Sequence, residues 1–242
     1  MTTAPTAIPH RHVPHRFVLV SLCVLVVAAA AAGIVLAVRN TGSGTISSTG
    51  VKGSGVAAAQ TRALPAFTAV DLAGANNVTV YVGRTQAVTV RGDDNLIPFV
   101  TTAVQGGTLA IGQSRSFSTR RPMSVEVAVP ALDAVALSGT GVLNVYDVKA
   151  DHFTVRAPGT GVLTVTGTTK TLDATLSGTG DLRLDALAAH DVTATVSGSG
   201  RLQVKAGHSL DATVSGVGSI VYTGSPTKLT KKVTGTGRIT EK

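Results

Sequence analysis

LSGTGVLNV (137–145), APGTGVLTV (157–165), LSGTGDLRL (176–184), VSGSGRLQV (196–204), VSGVGSIVY (214–222) and VTGTGRITE (233–241) are six variants of one segment, each built on a Gly-x-Gly. The first glycines are Gly139, Gly159, Gly178, Gly198, Gly216 and Gly235; the second are Gly141, Gly161, Gly180, Gly200, Gly218 and Gly237. Successive first glycines stand 20, 19, 20, 18 and 19 residues apart. That period is too short for a propeller blade or a helical-hairpin repeat. It fits a coil of two or three short strands that buries its apolar face only by stacking on its neighbours.

The columns of this alignment say which faces are buried. Two residues before the first glycine stand Leu137, Ala157, Leu176, Val196, Val214 and Val233. Four after it stand Leu143, Leu163, Leu182, Leu202, Ile220 and Ile239, and six after it Val145, Val165, Leu184, Val204 and Tyr222. Apolar residues thus recur at every second position on both sides of the turn, as strands with one buried face require. The columns between are hydroxylated: Ser138, Ser177, Ser197, Ser215 and Thr234 before the glycine, and Thr140, Thr160, Thr179, Ser199 and Thr236 inside the pair. Coils about 4.8 Å apart would bring these hydroxyls within reach of one another as ladders. The glycine pair is expected to supply either positive φ or close backbone approach at a tight turn between two sheets. The expected architecture is all-β, a right-handed β-helix-like solenoid with coils of about 19 residues.

The pattern begins earlier in worn form. LAGANNVTV (72–80) matches with Asn76 at the second glycine, and VRGDDNLIP, from Val90, follows 18 residues later as a further worn repeat. Between Thr101 and Pro130 the register loosens, although VEVAV (125–129) alternates as a strand. The last repeat puts Lys231 and Glu241 in core columns, as a capping coil that protects an open edge would.

Upstream, residues 17–38, FVLVSLCVLVVAAAAAGIVLAV, carry no charge. At about 1.5 Å per residue they span about 33 Å of helix, matching a hydrocarbon core of about 30 Å. The run exceeds a signal-peptide apolar region of roughly 7–15 residues, so it reads as an uncleaved transmembrane signal anchor. Arg11 and Arg16 favour a cytoplasmic tail at 1–16 and an extracytoplasmic C-terminal portion. Residues 39–63, rich in Gly, Ser, Thr and Ala, read as a flexible linker, and 64–242 as the folded domain.

Composition narrows the function. With 27 glycines and 14% charged residues, the chain favours short strands and tight turns over amphipathic helices. The formal charge is +8, but with Arg11, Arg16 and Arg39 set aside, residues 40–242 carry 18 basic against 13 acidic groups. That mild excess suits an anionic envelope polymer or a lipid surface. A nucleic-acid partner is not expected, since it calls for a denser basic stripe and stacking aromatics, and Trp is absent. The one cysteine, Cys23, lies inside the apolar run, so the domain has neither a disulfide nor a thiolate ligand, and no cofactor is expected.

The SGTG and SGSG turns at this spacing, preceded by FTAVDLAGANNVTV (67–80), VTVRGDDNLIP (88–98) and GGTLAI (106–111), resemble the bacterial family named putative autotransporter adhesin, head GIN domain. The likeness covers roughly residues 64–242. It implies a superhelix like that of pectin-lyase proteins without their catalytic residues, with Gly-Ser-Gly turns between two sheets. It also implies a place at the cell surface and a role in adhesion or surface interaction.

Several constellations invite a chemical reading. Glycoside cleavage needs two carboxylates about 5–5.5 Å or 6.5–9.5 Å apart. Asp173 and Asp211 share an outward column two coils apart with Thr193 between, at about 9.6 Å by strand spacing. The plainer reading is a surface Asp/Thr ladder with no catalytic pair. Asp181 and Arg201 are expected to face each other as an exposed ion pair, worth about 0–1 kcal/mol. Arg91-Gly92-Asp93 spells an integrin-binding tripeptide, but it stands at a position equivalent to the repeat turn and reads as chance. His152, His190 and His208 lie in or beside connections of nearby coils; without carboxylate partners at fixed spacing, no metal site is expected. Arg115, Arg120 and Arg121 in a polar loop, and Lys228, Lys231 and Lys232 near the C-terminal cap, are candidate anion-binding clusters, although such clusters are more often solvated faces.

The function expected is therefore a non-enzymatic, membrane-anchored surface module that binds an envelope polymer or a partner protein. Alternatives of other classes are an envelope-sensing module, a structural spacer and a polysaccharide-cleaving β-helix enzyme. The enzyme is disfavoured by the missing aromatic platform and acid/base constellation.

Overall fold

The structure is a computed structural model and describes residues 50–242. In chain order the strands are β1 (Val51–Lys52), β2 (Ala57–Arg62), β3 (Ala69–Leu72), β4 (Asn77–Val82), β5 (Ala87–Asp93), β6 (Val100–Gln105), β7 (Thr108–Gln113), β8 (Phe117–Ser118) and β9 (Ser124–Val129). They continue as β10 (Ala134–Leu137), β11 (Val142–Ala157), β12 (Val162–Leu176), β13 (Asp181–Val196), β14 (Arg201–Val214), β15 (Ser219–Thr223), β16 (Lys228–Val233) and β17 (Arg238–Glu241).

Coil stacks on coil in parallel, in the register of the repeat. Leu143, Leu163, Leu182, Leu202, Ile220 and Ile239 are consecutive ladder partners. So are Ala157, Leu176, Val196, Val214 and Val233 on the other side of the turn. Except in the last coil, these residues are fully buried and form one continuous core. The long strands β11–β14 each break register near their middle, so a coil contributes its first half to one ladder and its second half to another. This is a β-solenoid, as the period requires.

The turn glycines answer a question the sequence left open. None of the twelve has positive φ. They are needed because successive turns lie against one another: Gly159 N–H donates to Leu137 O at 2.9 Å, Thr160 N–H to Gly139 O at 3.1 Å and Val162 N–H to Gly141 O at 3.1 Å. A Cβ on Gly178 would stand 2.6 Å from Pro158 O and closer still to Gly159 O; one on Gly198 would meet Ser177 O at 2.6 Å and Gly178 O more tightly. The expected hydroxyl ladders do not form alongside. Ser138 Oγ donates to Asp71 at 2.7 Å, and no side-chain hydrogen bond links the other hydroxyls of these columns among the described residues. These hydroxyls stand at the exposed edge of the turn, open to solvent.

The stretch that resisted alignment supplies the N-terminal end of the solenoid. β6 and β7 form an antiparallel hairpin through Gly106 and Gly107, whose φ of 55° and 75° suit a two-residue hairpin turn. β7 then pairs in parallel beneath β3, and β9 beneath β4, making a coil under the first worn repeat although it comes later in the chain. β10 and β11 return to the other side of β3 and β4. Asn76 occupies the second-glycine position, as expected; its amide donates to Gly112 O of the lower coil at 3.3 Å.

Two expectations are corrected here. VRGDDNLIP is not a repeat: Arg91, Gly92 and Asp93 end β5, which runs antiparallel between β2 and β9 and closes the end of the stack. The close neighbour of Gly92 is the Met123 side chain, not another coil. The flexible linker also ends earlier than residue 63. Residues 51–52 and 57–62 are strands, because β1 pairs with β8 and β2 adds to β5 as the outer strand of the cap. Among the described residues no helix is long and apolar enough to cross a membrane, and segment 17–38 lies outside them.

At the other end, Lys231 aligns with Ala212 and Glu241 with Tyr222, both core positions in earlier coils. Lys231 Nζ stands 4.5 Å over the Tyr222 ring, and Tyr222 OH donates to Glu241 Oε2 at 3.1 Å. Charge placed on the edge coil in this way opposes strand-to-strand association.

Candidate functional site

The loop from β7 to β9 crosses the outside of the N-terminal coil and carries Arg115, Arg120 and Arg121. It is held at its middle by β8, whose Phe117 and Ser118 pair with Val51 and Lys52 of β1, and by Gly53 N–H donating to Ser118 O at 2.8 Å. The start of the described chain and this loop therefore wall a cleft of about 510 Å³ whose lining includes Lys52, Ser54, Asp93, Thr119, Arg120 and Arg121.

Asp93 is the floor. It is 1% exposed, and its Oδ2 accepts from Thr119 Oγ1 at 2.5 Å. Its Oδ1 is buried without a hydrogen-bond partner, 4.0 Å from Arg121 Nε. Arg121 directs that nitrogen to Gly55 O at 2.9 Å instead. Glycine at position 53 leaves room for the carboxylate, since a Cβ there would overlap Asp93 Oδ2. The burial of Asp93 rests on its single hydroxyl donor, so Thr119→Val is expected to cost about 1–3 kcal/mol. Urea denaturation followed by circular dichroism reads this directly.

The rim is basic. Arg120, exposed, lines both this cleft and an adjoining groove of about 500 Å³ with Asn77, Phe117 and Met123. Arg115 is apart from the pair: it lines a separate groove beside the first turns, its guanidinium 5.8 Å from the Phe99 ring. The structure thus joins Arg120 and Arg121 with Lys52 and Asp93, two residues the sequence reading did not link to them. Asp93 left no signal in the sequence; only in the structure does the alternation of Ala87–Asp93 end with Gly92 and Asp93 both buried. The three lysines of the C-terminal cluster do not converge. Lys231 lies over Tyr222, whereas Lys228 and Lys232 alternate with it along β16.

Asp173, Thr193 and Asp211 are consecutive ladder partners, as expected. They stand on an open sheet face, where His152 Nε2 lies 3.3 Å from Asp173 Oδ2. Asp181 and Arg201 are also ladder partners, but the ion pair goes elsewhere: Arg183, two residues along the same strand face, holds Asp181 at 2.8 Å. The tripeptide Arg91-Gly92-Asp93 offers no accessible carboxylate, because Asp93 is the buried floor described above. His190 and His208 are adjacent and Asp191 lies between them; His152 is separate, in contact with Asp173.

With the fold and cleft defined, comparison with known proteins places the chain in a class. Residues 66–226 match the family described as "putative auto-transporter adhesin, head GIN domain", and the chain belongs to that family. The crystal structure of a putative adhesin from Bacteroides fragilis is similar over 80% of this chain and 100% of its own, at 24% identity and a TM-score of 0.65. A putative adhesin from Parabacteroides merdae is similar over 79% of this chain and 98% of its own, at 19% identity and a TM-score of 0.51. At these identities the likeness bears on the fold. No curated protein matches the chain.

Proposed function

We propose that this is a non-catalytic surface module, anchored by residues 17–38, that binds anionic envelope polymers through the Asp93 cleft. The observation that carries this reading is a rim of Lys52, Arg120 and Arg121 over a buried carboxylate oxygen with no partner. Cationic rim groups pair with phosphate or carboxylate, and the buried Asp93 carboxylate, 4.0 Å from Arg121 Nε, supports one side of that rim from beneath. A polymer repeat carrying an anion, such as a charged glycan or polyol phosphate, meets that demand. Membership of an adhesin-like family and the naming of structural relatives as putative adhesins support a binding role. The coils take the right-handed sense that parallel crossovers adopt.

Arg120 is the clean probe because it makes no side-chain hydrogen bond among the described residues. In full-length protein in detergent, Arg120→Ala is expected to weaken cosedimentation with isolated anionic wall polymer about tenfold or more, the loss of one charge-assisted contact of about 1.5–3 kcal/mol. Equal binding by Arg120→Ala and the parent protein would mean that the polymer does not bind at the cleft.

A further inference from the structure

The coil corner between β13 and β14 carries a second constellation that the proposed polymer cleft does not use. A bulge creates it. Ala189 pairs with Ala206 and Asp191 with Ser209, so one residue, His190, faces two, Gly207 and His208. Bulges re-aim side chains, and this one brings the His208 ring over the His190 ring of the preceding coil. The ring centroids are 4.6 Å apart and the planes differ by 18°. Asp191 lies between them: its Oδ2 is 2.8 Å from His190 Nδ1, and its Oδ1 is 2.9 Å from His208 Nδ1. Ser209 Oγ also donates to Oδ1. These donors, Ser209 first and then the two histidines, hold the Asp191 carboxyl well below the usual aspartate range.

We propose that His190, Asp191 and His208 form a binding site for a borderline divalent transition-metal ion of the Zn²⁺ type. Three chemical features point there. Each of the three residues offers a ligand atom, and these atoms lie within 4.8 Å of one another. Both Nδ1 atoms already face the Asp191 carboxylate, so an ion that replaces these two hydrogen bonds, each ring proton moving to Nε2, meets two imidazole nitrogens and a carboxylate oxygen together. The donor set, two imidazoles and one carboxylate, suits Zn²⁺, Cu²⁺ or Ni²⁺. It does not suit Ca²⁺ or Mg²⁺, which take oxygen-rich sites. The side chains are partly exposed, at 61% for His190, 41% for Asp191 and 39% for His208, so an ion enters without opening the core. Bound there, it links two successive coils at the point where their register breaks.

The test must separate this corner from the other histidines, since the chain has six, including His10, His12 and His15. Full-length protein in detergent, with those three and His152 replaced by glutamine, is titrated with Zn²⁺ against a chromophoric chelator. The imidazole nitrogens are followed by ¹⁵N NMR. One equivalent of Zn²⁺ is expected to bind with shifts confined to His190 and His208, and His208→Gln or His190→Gln should weaken it at least tenfold with an unchanged circular dichroism spectrum. Ca²⁺ should not compete. Zinc affinity unchanged in both single variants, absence of zinc binding, or equal binding of Ca²⁺ would each overturn the proposal.

Discussion

Gly178→Ala is expected to lower the stability of the solenoid by about 3 kcal/mol, the upper part of the usual range for forced overpacking. The added methyl would collide with two carbonyl oxygens of the coil beneath, Pro158 O and Gly159 O. Both belong to backbone that is itself hydrogen-bonded to a neighbouring coil, as Gly178 N–H is to Ala157 O at 3.1 Å. Relief therefore requires moving whole turns apart, and the displacement passes to the next glycine pair. The contrast residue is one position away. Thr179 is exposed, and Thr179→Ala should stay within about 0.5 kcal/mol of the parent. The chain has no tryptophan, so urea midpoints are read by far-ultraviolet circular dichroism. Equal midpoints for the two variants would mean that the turns do not lie against one another as described.

The second large effect is expected at Phe153. It is 0% exposed and stands in the column Phe153, Leu172, Val192, Leu210, Leu229. Truncation to alanine leaves a cavity inside a stack whose coils cannot collapse independently, because each is held by parallel ladders on both sides. The cost should be about 3–5 kcal/mol. Leu229, in the same column but on the last coil, is 43% exposed, and Leu229→Ala should cost a good deal less. In a quasi-one-dimensional fold these losses act between nearest neighbours, so Phe153→Ala should also broaden the unfolding transition as the stack divides. A sharp transition with an unchanged midpoint would contradict the packing.

The regular coils were legible in the sequence because everything that specifies them is local and periodic. The apolar columns, the Asn76 substitution and the outward Asp173–Thr193–Asp211 ladder all follow from a register that holds within each half of a coil. The N-terminal end was not legible, and the reason is physical. An alternating strand looks the same whether its partner runs parallel or antiparallel, so Val88 and Val90 of β5 could be mistaken for part of a worn coil. Stacking order also need not follow chain order: the Leu109–Ile111 and Val125–Val129 segments lie beneath residues that precede them. The same limit hid the cleft. Asp93 meets Thr119 and Arg121 next to the β1–β8 pairing, which joins two short segments with no periodic signature. At the His190–Asp191–His208 corner the 18-residue offset was visible, but the bulge that turns His208 onto His190 was not.

The proposed function is binding of anionic envelope polymer without cleavage. The most direct measurement incubates full-length protein in detergent with isolated anionic wall polymer at low and high salt, recording cosedimentation and soluble sugar release together. The expected result is cosedimentation that weakens steeply with salt and depends on Arg120, with no sugar released. Sugar release, or salt-insensitive binding that Arg120→Ala leaves intact, would contradict it.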